Sequence, residues 1–347
     1  MATTTIARTK PLPKTYPDFE VLAQPLNGLG FYFPSVFTPN SESYYTRLHF
    51  AHQFQDLTES NKPGVSFRKG VYLSRVSSDP TSGDLSFNLL RCSTNFQGPT
   101  ENFRPVDEEI IDVAQRAADH LFGHGDTAEL NHVLAQVYHN TAGTTTTTSS
   151  MDADEANANI SAKEKKARIK SHSDTTKDMP ANGIMAFCTF YSDDIAQKAK
   201  VSPAGDYVYK NGSVLTKLRW KLKASVPETV RLDRQLKESF DVLLHPNSLL
   251  LMSLSTNRLY THEIVPPQLP VERVPTRLGY VIRCSNVKAV SRGGRTYVDG
   301  KKLMKPTREQ VLELKGLYRE ENCSNDVVEY GRVDFSMNAG DYLPPVL

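Results

Sequence analysis

The sequence predicts a mainly β protein with flanking helices (α+β), built as an antiparallel sandwich or jelly roll. Apolar segments of strand length recur along most of the chain, and Gly, Pro and Asn separate them at short intervals. Segments with helical periodicity are few and do not alternate regularly with the strands. A parallel α/β protein would show that alternation, so the pattern favours antiparallel sheets. The 347 residues are enough to bury a core without disulfide bonds.

The first hundred residues predict short strands, and the clearest helix follows them. Apolar residues recur at steps of three and four from Ile110 to Leu121, after Pro105 and before Gly123, which predicts a helix that ends at the glycine. A second helical segment is expected from Glu129 to about Ala135. The strands predicted before the first helix lie at 31–33, 70–73 and 85–90.

The second half of the chain is again strand-like and ends in a helix. A helix is expected from Thr307 to about Arg319, and it carries Val311, Leu312, Leu314 and Leu317. The strands predicted before it lie at 184–191, 207–209, 214–222, 239–244, 248–254, 260–265 and 278–282.

Composition divides the chain into a tail, an extension, a main domain and an insertion. Residues 1–15 predict a flexible tail, for which a transit peptide is an open alternative, and 16–124 an N-terminal extension that packs on the core. The main domain is expected at 125–347. Within it, 141–166 contains five consecutive threonines and no apolar periodicity, which predicts a disordered insertion.

Charge and cysteine usage exclude several classes. The net charge is only +2, so binding to a polyanion would need local basic patches. The cysteines Cys92, Cys188, Cys284 and Cys323 form no CxxC pair, which argues against a zinc ribbon, a thioredoxin motif or a disulfide framework. We expect a reducing intracellular location, cytoplasmic or nuclear. No apolar stretch reaches the roughly 18 residues of a membrane span, so no membrane partner is expected.

The residues that could carry chemistry are two histidines, an aspartate and an arginine. His172 and Asp174 precede one predicted strand, and His262 lies on a later one. Two imidazoles and one carboxylate can occupy one face of an octahedral ferrous ion and leave three positions open for a 2-oxo acid and dioxygen. Arg277, on the next strand, offers a fork suited to the far carboxylate of such an acid.

Each of these assignments has a rival in the sequence. His124 and Asp126 form a second HxD tripeptide, which we interpret as a helix end followed by a surface turn. His245 could replace the distal histidine but precedes Pro246 in a turn signal. Arg273 could replace Arg277 as the anchor, although it has no arginine six residues further on.

Five motifs follow one another along the second part of the chain. They are Gln136-Val137-Tyr138, His172-Ser173-Asp174, the segment 248–253, the segment 258–264 and the strand from Arg277 to Arg283. In order and local spacing they together resemble the AlkB-like Fe(II)/2-oxoglutarate dioxygenases. Two arginines six residues apart on one strand, after a Tyr-x-His turn, are characteristic of that family. The resemblance covers about residues 125–290.

The resemblance implies a double-stranded β-helix, the jelly roll of that family, and a set of iron ligands. His172, Asp174 and His262 would bind Fe(II). The implied reaction couples decarboxylation of 2-oxoglutarate by O2 to hydroxylation of a substrate C–H bond. A hydroxylated N-methyl group would then leave as formaldehyde, which is oxidative demethylation.

The resemblance also implies a co-substrate pocket. Arg277 would pair with the distal carboxylate of 2-oxoglutarate, and Arg283 would lie near the carboxylate that binds iron. Tyr138 would donate a hydrogen bond to the co-substrate. Its partner position is Gln136, where the family usually has Asn.

The substrate is less constrained than the chemistry. Alkylated nucleic acid is the default class, and its phosphates would meet three basic segments at 163–170, 210–223 and 288–305. Repair members carry an acid two positions after the metal aspartate, where this chain has Thr176. That departure keeps open the same chemistry on a protein side chain or small metabolite. A third alternative is a catalytically silent binding module.

Overall fold

A computed structural model describes eight stretches of the chain. They are residues 24–26, 28–39, 41–58, 65–92, 96–123, 125–141, 164–202 and 205–347. The tail predicted at 1–15, His124, and nearly all of the insertion predicted at 141–166 lie outside the described residues.

The described residues form six helices and 23 strands, most of the strands short. The helices are α1 (Tyr44–Ala51), α2 (Pro105–Phe122), α3 (Ile195–Lys198), α4 (Glu228–Asp233), α5 (Leu254–Leu259) and α6 (Arg308–Cys323). The strands are β1 (Gln24–Pro25), β2 (Gly30–Phe33), β3 (Gln55–Thr58), β4 (Val65–Ser74), β5 (Ser77–Ser78), β6 (Leu85–Leu89), β7 (Glu101–Asn102), β8 (His132–Tyr138), β9 (Asn140–Thr141), β10 (Lys165–Lys166), β11 (Ile169–His172), β12 (Ile184–Tyr191), β13 (Lys200–Val201), β14 (Tyr207–Tyr209), β15 (Gly212–Ser213), β16 (Lys217–Leu222), β17 (Ser239–Leu243), β18 (Ser248–Ser253), β19 (Tyr260–Val265), β20 (Arg277–Arg283), β21 (Val287–Arg292), β22 (Arg295–Val298) and β23 (Lys301–Lys302).

Two antiparallel sheets face each other and form the jelly roll. The major sheet has the order β1-β2-β18-β12-β20-β8-β4-β3, and β7 joins β4 in parallel. The minor sheet has the order β11-β19-β16-β17. One apolar cluster joins them: Trp220 and Tyr260 of the minor sheet belong to the same buried core as Phe187 and Leu250 of the major sheet. The fold class predicted from the sequence is therefore confirmed.

The two strands at the centre of the major sheet, β12 and β20, are buried on both faces. Their inward residues point to the minor sheet, while the outward residues meet α1 and α2. Phe190 of β12 stacks on Tyr44 of α1, and the Tyr280 hydroxyl of β20 donates to Asp107 of α2 at 2.7 Å. The helices thus cover the side of the sheet opposite the minor sheet, as layered packing requires.

The ends of the predicted helices follow their capping residues. Pro105 occupies the first turn of α2, and Gly123 ends it with a φ of 102°, a value that glycine adopts without strain. In α6 the Thr307 hydroxyl accepts from the backbone N–H of Gln310, whose side chain accepts from Thr307 N–H. Both helices confirm the sequence prediction, and α6 continues four residues beyond Arg319.

One predicted element is wrong. The helix expected from Glu129 to Ala135 is absent, because His132–Tyr138 is strand β8 between β20 and β4. Both faces of this strand are buried, so its residues do not alternate between apolar and polar, and the period of two is hidden. The helices α1, α3, α4 and α5 were not predicted from the sequence.

Strands from both sides of residue 124 pair within the major sheet, since β2 pairs with β18 and β4 with β8. The boundary between an extension at 16–124 and a domain at 125–347 remains a prediction.

A third sheet, with the order β23-β22-β21-β6-β5, continues from the Arg283 end of β20. Within the described ranges, no helix combines the length and the apolar character needed to cross a membrane.

Candidate metal centre and co-substrate pocket

The two candidate histidines lie opposite each other on neighbouring strands of the minor sheet. His172 ends β11 and is in register with His262 of β19. Asp174 follows two residues after His172, in the loop that leaves the sheet. Their ligand atoms all lie within 4.8 Å of one another, and this is the one such group of three or more among the described residues. The His172 Nε2 and Asp174 Oδ1 atoms are 3.6 Å apart.

Hydrogen bonding presents one nitrogen of His172 as a ligand. Its Nδ1–H donates to the backbone carbonyl of Lys170 at 2.9 Å, which leaves the Nε2 lone pair facing Asp174. A metal-binding histidine usually donates its other ring nitrogen to a carbonyl in this way. Burial and the neighbouring His172 lower the pKa of His262 to about 3, so its imidazole stays neutral, the form that binds a metal.

Asp174 is ionised, and two hydrogen bonds from one side chain hold its backbone in place. Burial opposes ionisation, but the neighbouring His172 side chain and the charge of Arg283 outweigh it and keep the pKa of Asp174 well below its usual range. The fully buried Asn257 of α5 accepts from the Asp174 N–H at 3.0 Å and donates to the Asp174 carbonyl at 2.8 Å. Sequence reasoning missed Asn257, because α5 was not predicted.

Arg277 lies on the inner face of the major sheet and stacks on Tyr138. The two residues are in register on β20 and β8, and the guanidinium carbon lies 3.9 Å from the centroid of the tyrosine ring. Arg277 is 4% exposed, and its Nε and Nη2 atoms have no hydrogen-bond partner within the described chain. A buried cation with unsatisfied donors is costly unless an anion binds to it.

Arg283 lies on the same face of β20, because residues an even number apart share a face of a strand. It is 2% exposed, and its Nη1 donates to the Cys92 thiol at 3.4 Å. Its Nε and Nη2 have no partner among the described residues. Its charge stabilises the Asp174 carboxylate, which places Arg283 at the metal end of the pocket.

Gly279 lies between the two arginines and leaves room for the first of them. A Cβ at this position would be 2.9 Å from Arg277 Nη1 and 3.2 Å from a ring carbon of Tyr138. On the neighbouring strand β8, Gly279 is paired with Gln136, whose Oε1 accepts from the Tyr138 hydroxyl at 3.2 Å. Sequence reasoning also missed Gly279, because the need for glycine there comes from how the Arg277 side chain packs against Tyr138 of β8.

The His-Asp-His group and the arginines face the same interior. Phe187 is in register with Val281 of β20, and its ring meets the His262 ring edge-on with the centroids 5.6 Å apart. The buried donors of Arg277 and Arg283 therefore lie on the wall that faces the His-Asp-His group. Two cationic ends on one wall suit a short dicarboxylate, and the His-Asp-His set with its open side suits Fe(II).

The rivals named from the sequence are engaged elsewhere. The His245 Nδ1 lies 3.2 Å from the Tyr32 hydroxyl, at the far edge of the minor sheet. The Arg273 guanidinium lies 4.2 Å from the centroid of the Tyr209 ring, outside the two facing sheets. Neither belongs to the group of metal-ligating side chains.

The three basic segments differ in how their charges are used. In 210–223, Lys217 and Arg219 pair with Asp241, Lys221 pairs with Glu263 at 3.0 Å, and Lys223 is buried. In 288–305, by contrast, five cations are exposed and without a salt bridge within the described chain: Lys288, Arg295, Lys301, Lys302 and Lys305.

The described part of 163–170 carries cations beside the metal centre. Arg168 and Lys170 are exposed, and Lys170 lies on the strand that ends at His172. Lys165 places its ammonium 5.5 Å from the centroid of the Phe67 ring, and Lys166 donates to the Pro267 carbonyl. Lys163 lies outside the described residues.

No protein-family model and no curated protein matches the chain. Among solved structures, the chain is similar to OsALKBH1 at 11% identity, with 76% of this chain and 99% of that chain covered and a TM-score of 0.39. It is also similar to a Pseudomonas putida prolyl-4-hydroxylase at 12% identity, with 70% and 83% covered and a TM-score of 0.32. Both scores are below 0.5.

Proposed function

We propose that this protein is an Fe(II)- and 2-oxoglutarate-dependent dioxygenase of the AlkB-like type. One observation carries the proposal: the His-Asp-His group shares an interior with two buried arginines whose Nε and Nη2 atoms have no partner among the described residues. Buried donors without an acceptor cost stability when no anion is bound. A bound dicarboxylate would supply acceptors to both arginines.

The chain's own residues would then divide the work of binding and orientation. His172, Asp174 and His262 would hold Fe(II), which, when bound, supplies the oxygen chemistry that converts 2-oxoglutarate to succinate and hydroxylates a C–H bond. Arg277 would bind the distal carboxylate, and the Tyr138 ring would hold the guanidinium in a fixed orientation. Arg283 would balance the negative charge at the metal end, where it already faces Asp174.

The activity is tested by metal binding and succinate release. We expect the wild-type protein to bind Fe(II) under anaerobic conditions and to release succinate from 2-oxoglutarate in air. His172→Ala and His262→Ala should abolish both. His245→Ala is the matched control, because that histidine lies away from the site, and it should retain both. Unchanged succinate release in the two ligand variants would contradict the proposal, and absence of turnover in iron-loaded wild type would favour a silent binding module.

Nucleic acid is the first substrate class that we propose. The observation behind it is the position of Arg168 and Lys170, which are exposed next to the metal ligand His172, where they would meet phosphates close to the reacting centre. The exposed cations of 288–305 lie on and just after the third sheet, which follows the Arg283 end of β20. The implied reaction is oxidative demethylation of an alkylated base.

A protein side chain or small metabolite is the second class, and one contact favours it. The Thr176 hydroxyl and N–H both donate to Glu321, so the position at which repair members carry an acid is here a structural contact. Succinate release should be compared between methylated oligonucleotides and a panel of peptides and metabolites. Coupled turnover with oligonucleotides alone would reject the second class, and turnover with the panel alone would reject the first.

A further inference from the structure

The last turn of the C-terminal helix α6 contacts the loop that follows His172 and carries Asp174. The loop 173–176 turns back from the minor sheet, and two of its backbone N–H groups donate to side chains of this helix. The Ser173 N–H donates to Asn322 Oδ1 at 2.6 Å, and the Thr176 N–H donates to Glu321 Oε1 at 3.1 Å. These contacts bracket Asp174, one residue before it and two residues after it.

Both acceptors are fixed by contacts of their own. The Asn322 amide donates from Nδ2 to the Tyr318 carbonyl at 2.8 Å, which orients its oxygen toward Ser173. The Glu321 carboxylate is 4% exposed, and it also accepts from the hydroxyls of Thr176 and Tyr330. A side chain with so many partners has little freedom, so the two N–H groups of the loop meet rigid acceptors.

The end of α6 is in turn anchored to the minor sheet. Lys223, just after β16, donates from Nζ to the carbonyls of Glu321 at 2.6 Å and Ser324 at 2.9 Å. A cation at this position satisfies carbonyls that the end of a helix leaves unpaired. The same strand carries Trp220, whose ring packs against His262. The helix end and the distal metal ligand therefore have one common support.

We propose that Asn322 and Glu321 are positioning residues for the metal centre, and that they set the geometry of Asp174 and the metal affinity through the backbone of its loop. This inference rests on the proposed function, since it concerns the metal that His172, Asp174 and His262 would bind. It assigns a role to the last fifty residues, which the sequence resemblance does not cover.

The test uses Co(II) alone as the probe, read by its visible ligand-field absorption during titration of the metal-free full-length protein. Asn322→Leu removes the acceptor at similar volume, and we expect Co(II) affinity to fall about 10- to 100-fold with a changed absorption band. Asn322→Asp keeps an acceptor oxygen for the Ser173 N–H but loses the donor to the Tyr318 carbonyl, so its affinity and band should lie between those of Asn322→Leu and wild type. Glu321→Gln loses one acceptor and should weaken binding several-fold. The exposed Glu320→Gln, on the same helix, should match wild type.

The outcomes separate this inference from the proposed function. Wild-type affinity and an unchanged band in both Asn322→Leu and Glu321→Gln would overturn the inference while leaving the metal site intact. Equal losses in Asn322→Asp and Asn322→Leu would overturn the acceptor role. If circular dichroism shows that Asn322→Leu is unfolded, Glu321→Gln and Asn322→Asp decide the question. If His262→Ala binds Co(II) as wild type does, the metal site itself is wrong and both proposals fail.

Discussion

The guanidinium of Arg277 lies over the ring of Tyr138, 3.9 Å from its centroid, with two donor atoms that no described residue accepts from. The stack fixes the plane of the guanidinium, and a cation on an aromatic face contributes about 1 to 2 kcal/mol when it is desolvated. The unpaired Nε and Nη2 donors of Arg277 therefore have a fixed direction in which they can bind an acceptor. The pair therefore behaves as a preformed site for a carboxylate.

Replacing Arg277 should separate stability from binding. Arg277→Met removes a buried charge that lacks a partner, so the ligand-free protein should be as stable as wild type or more stable. The stabilisation by 2-oxoglutarate, about 2.7 kcal/mol at a hundred times the dissociation constant, should disappear. Thermal unfolding with and without 2-oxoglutarate measures both effects. Arg273→Met is the matched control and should keep the full ligand response; a full response in Arg277→Met would contradict the assignment.

Gly279→Ala should weaken 2-oxoglutarate binding with little effect on folding. The new Cβ would come within 2.9 Å of Arg277 Nη1, the mobile end of a side chain, so the guanidinium should move off its site while the strand stays in place. We expect calorimetry to give a dissociation constant for 2-oxoglutarate about tenfold larger than that of wild type, which corresponds to about 1.4 kcal/mol of binding free energy. Gly316→Ala, in open space on α6, should leave the constant unchanged. Unaltered affinity in Gly279→Ala would show that the guanidinium relaxes freely.

The sequence indicated which side chains come together at the candidate site better than it indicated what holds them there. His172, Asp174 and His262 form one group, and the two arginines share a strand, as their order along the chain predicted. Asn257 was not readable, because its contact with Asp174 joins residues 83 positions apart through a helix that the pattern did not reveal. Strand β8 was misassigned for a related reason: burial on both faces erased the alternation that marks a strand.

Asn257→Ala should destabilise the protein and make the loop 173–176, which carries Asp174, more mobile. The substitution leaves the buried Asp174 N–H and carbonyl without their partner, and each unsatisfied group costs about 1 to 3 kcal/mol. Urea unfolding of the metal-free protein should show a lower midpoint. The matched control is Asn286→Ala, at an exposed asparagine, which should change the midpoint little. A midpoint equal to wild type in Asn257→Ala would mean that the loop finds other partners.

Stability should fall at alkaline pH because of His52, which lies under α2 on the side of the sheet away from the site. Burial alone would lower its pKa, but hydrogen bonds to Asp107 at 2.8 Å and Glu101 at 2.9 Å, with their charges, raise it to about 9. Since the folded pKa lies above the unfolded value of 6.5, the stabilisation is complete below about pH 6.5 and is lost as the pH rises through 9.

The loss should be on the order of 2 kcal/mol between pH 6.5 and pH 9.5, measured by urea unfolding at each pH. His52→Asn should remove this part of the pH dependence and lower the stability at pH 6.5. His49→Asn, at an exposed histidine on α1, should retain the wild-type profile. An identical slope in His52→Asn and wild type would assign the pH dependence to other groups.

Affinity for a nucleic acid should depend on the cations beside His172 and not on those of β16. Arg219 and Lys221 already pair with Asp241 and Glu263 across the outer face of the minor sheet, so little charge is left for phosphates. Replacing Arg168 and Lys170 by Ala should weaken binding to a single-stranded oligonucleotide and reduce the slope of log K against log salt by about 1 to 2. Fluorescence anisotropy at several salt concentrations measures both quantities. The matched control replaces Arg219 and Lys221 by Ala, which changes the net charge equally, and we expect it to keep the wild-type slope. An equal loss of affinity in both double variants would indicate a general charge effect. That result would remove the argument for nucleic acid at this site.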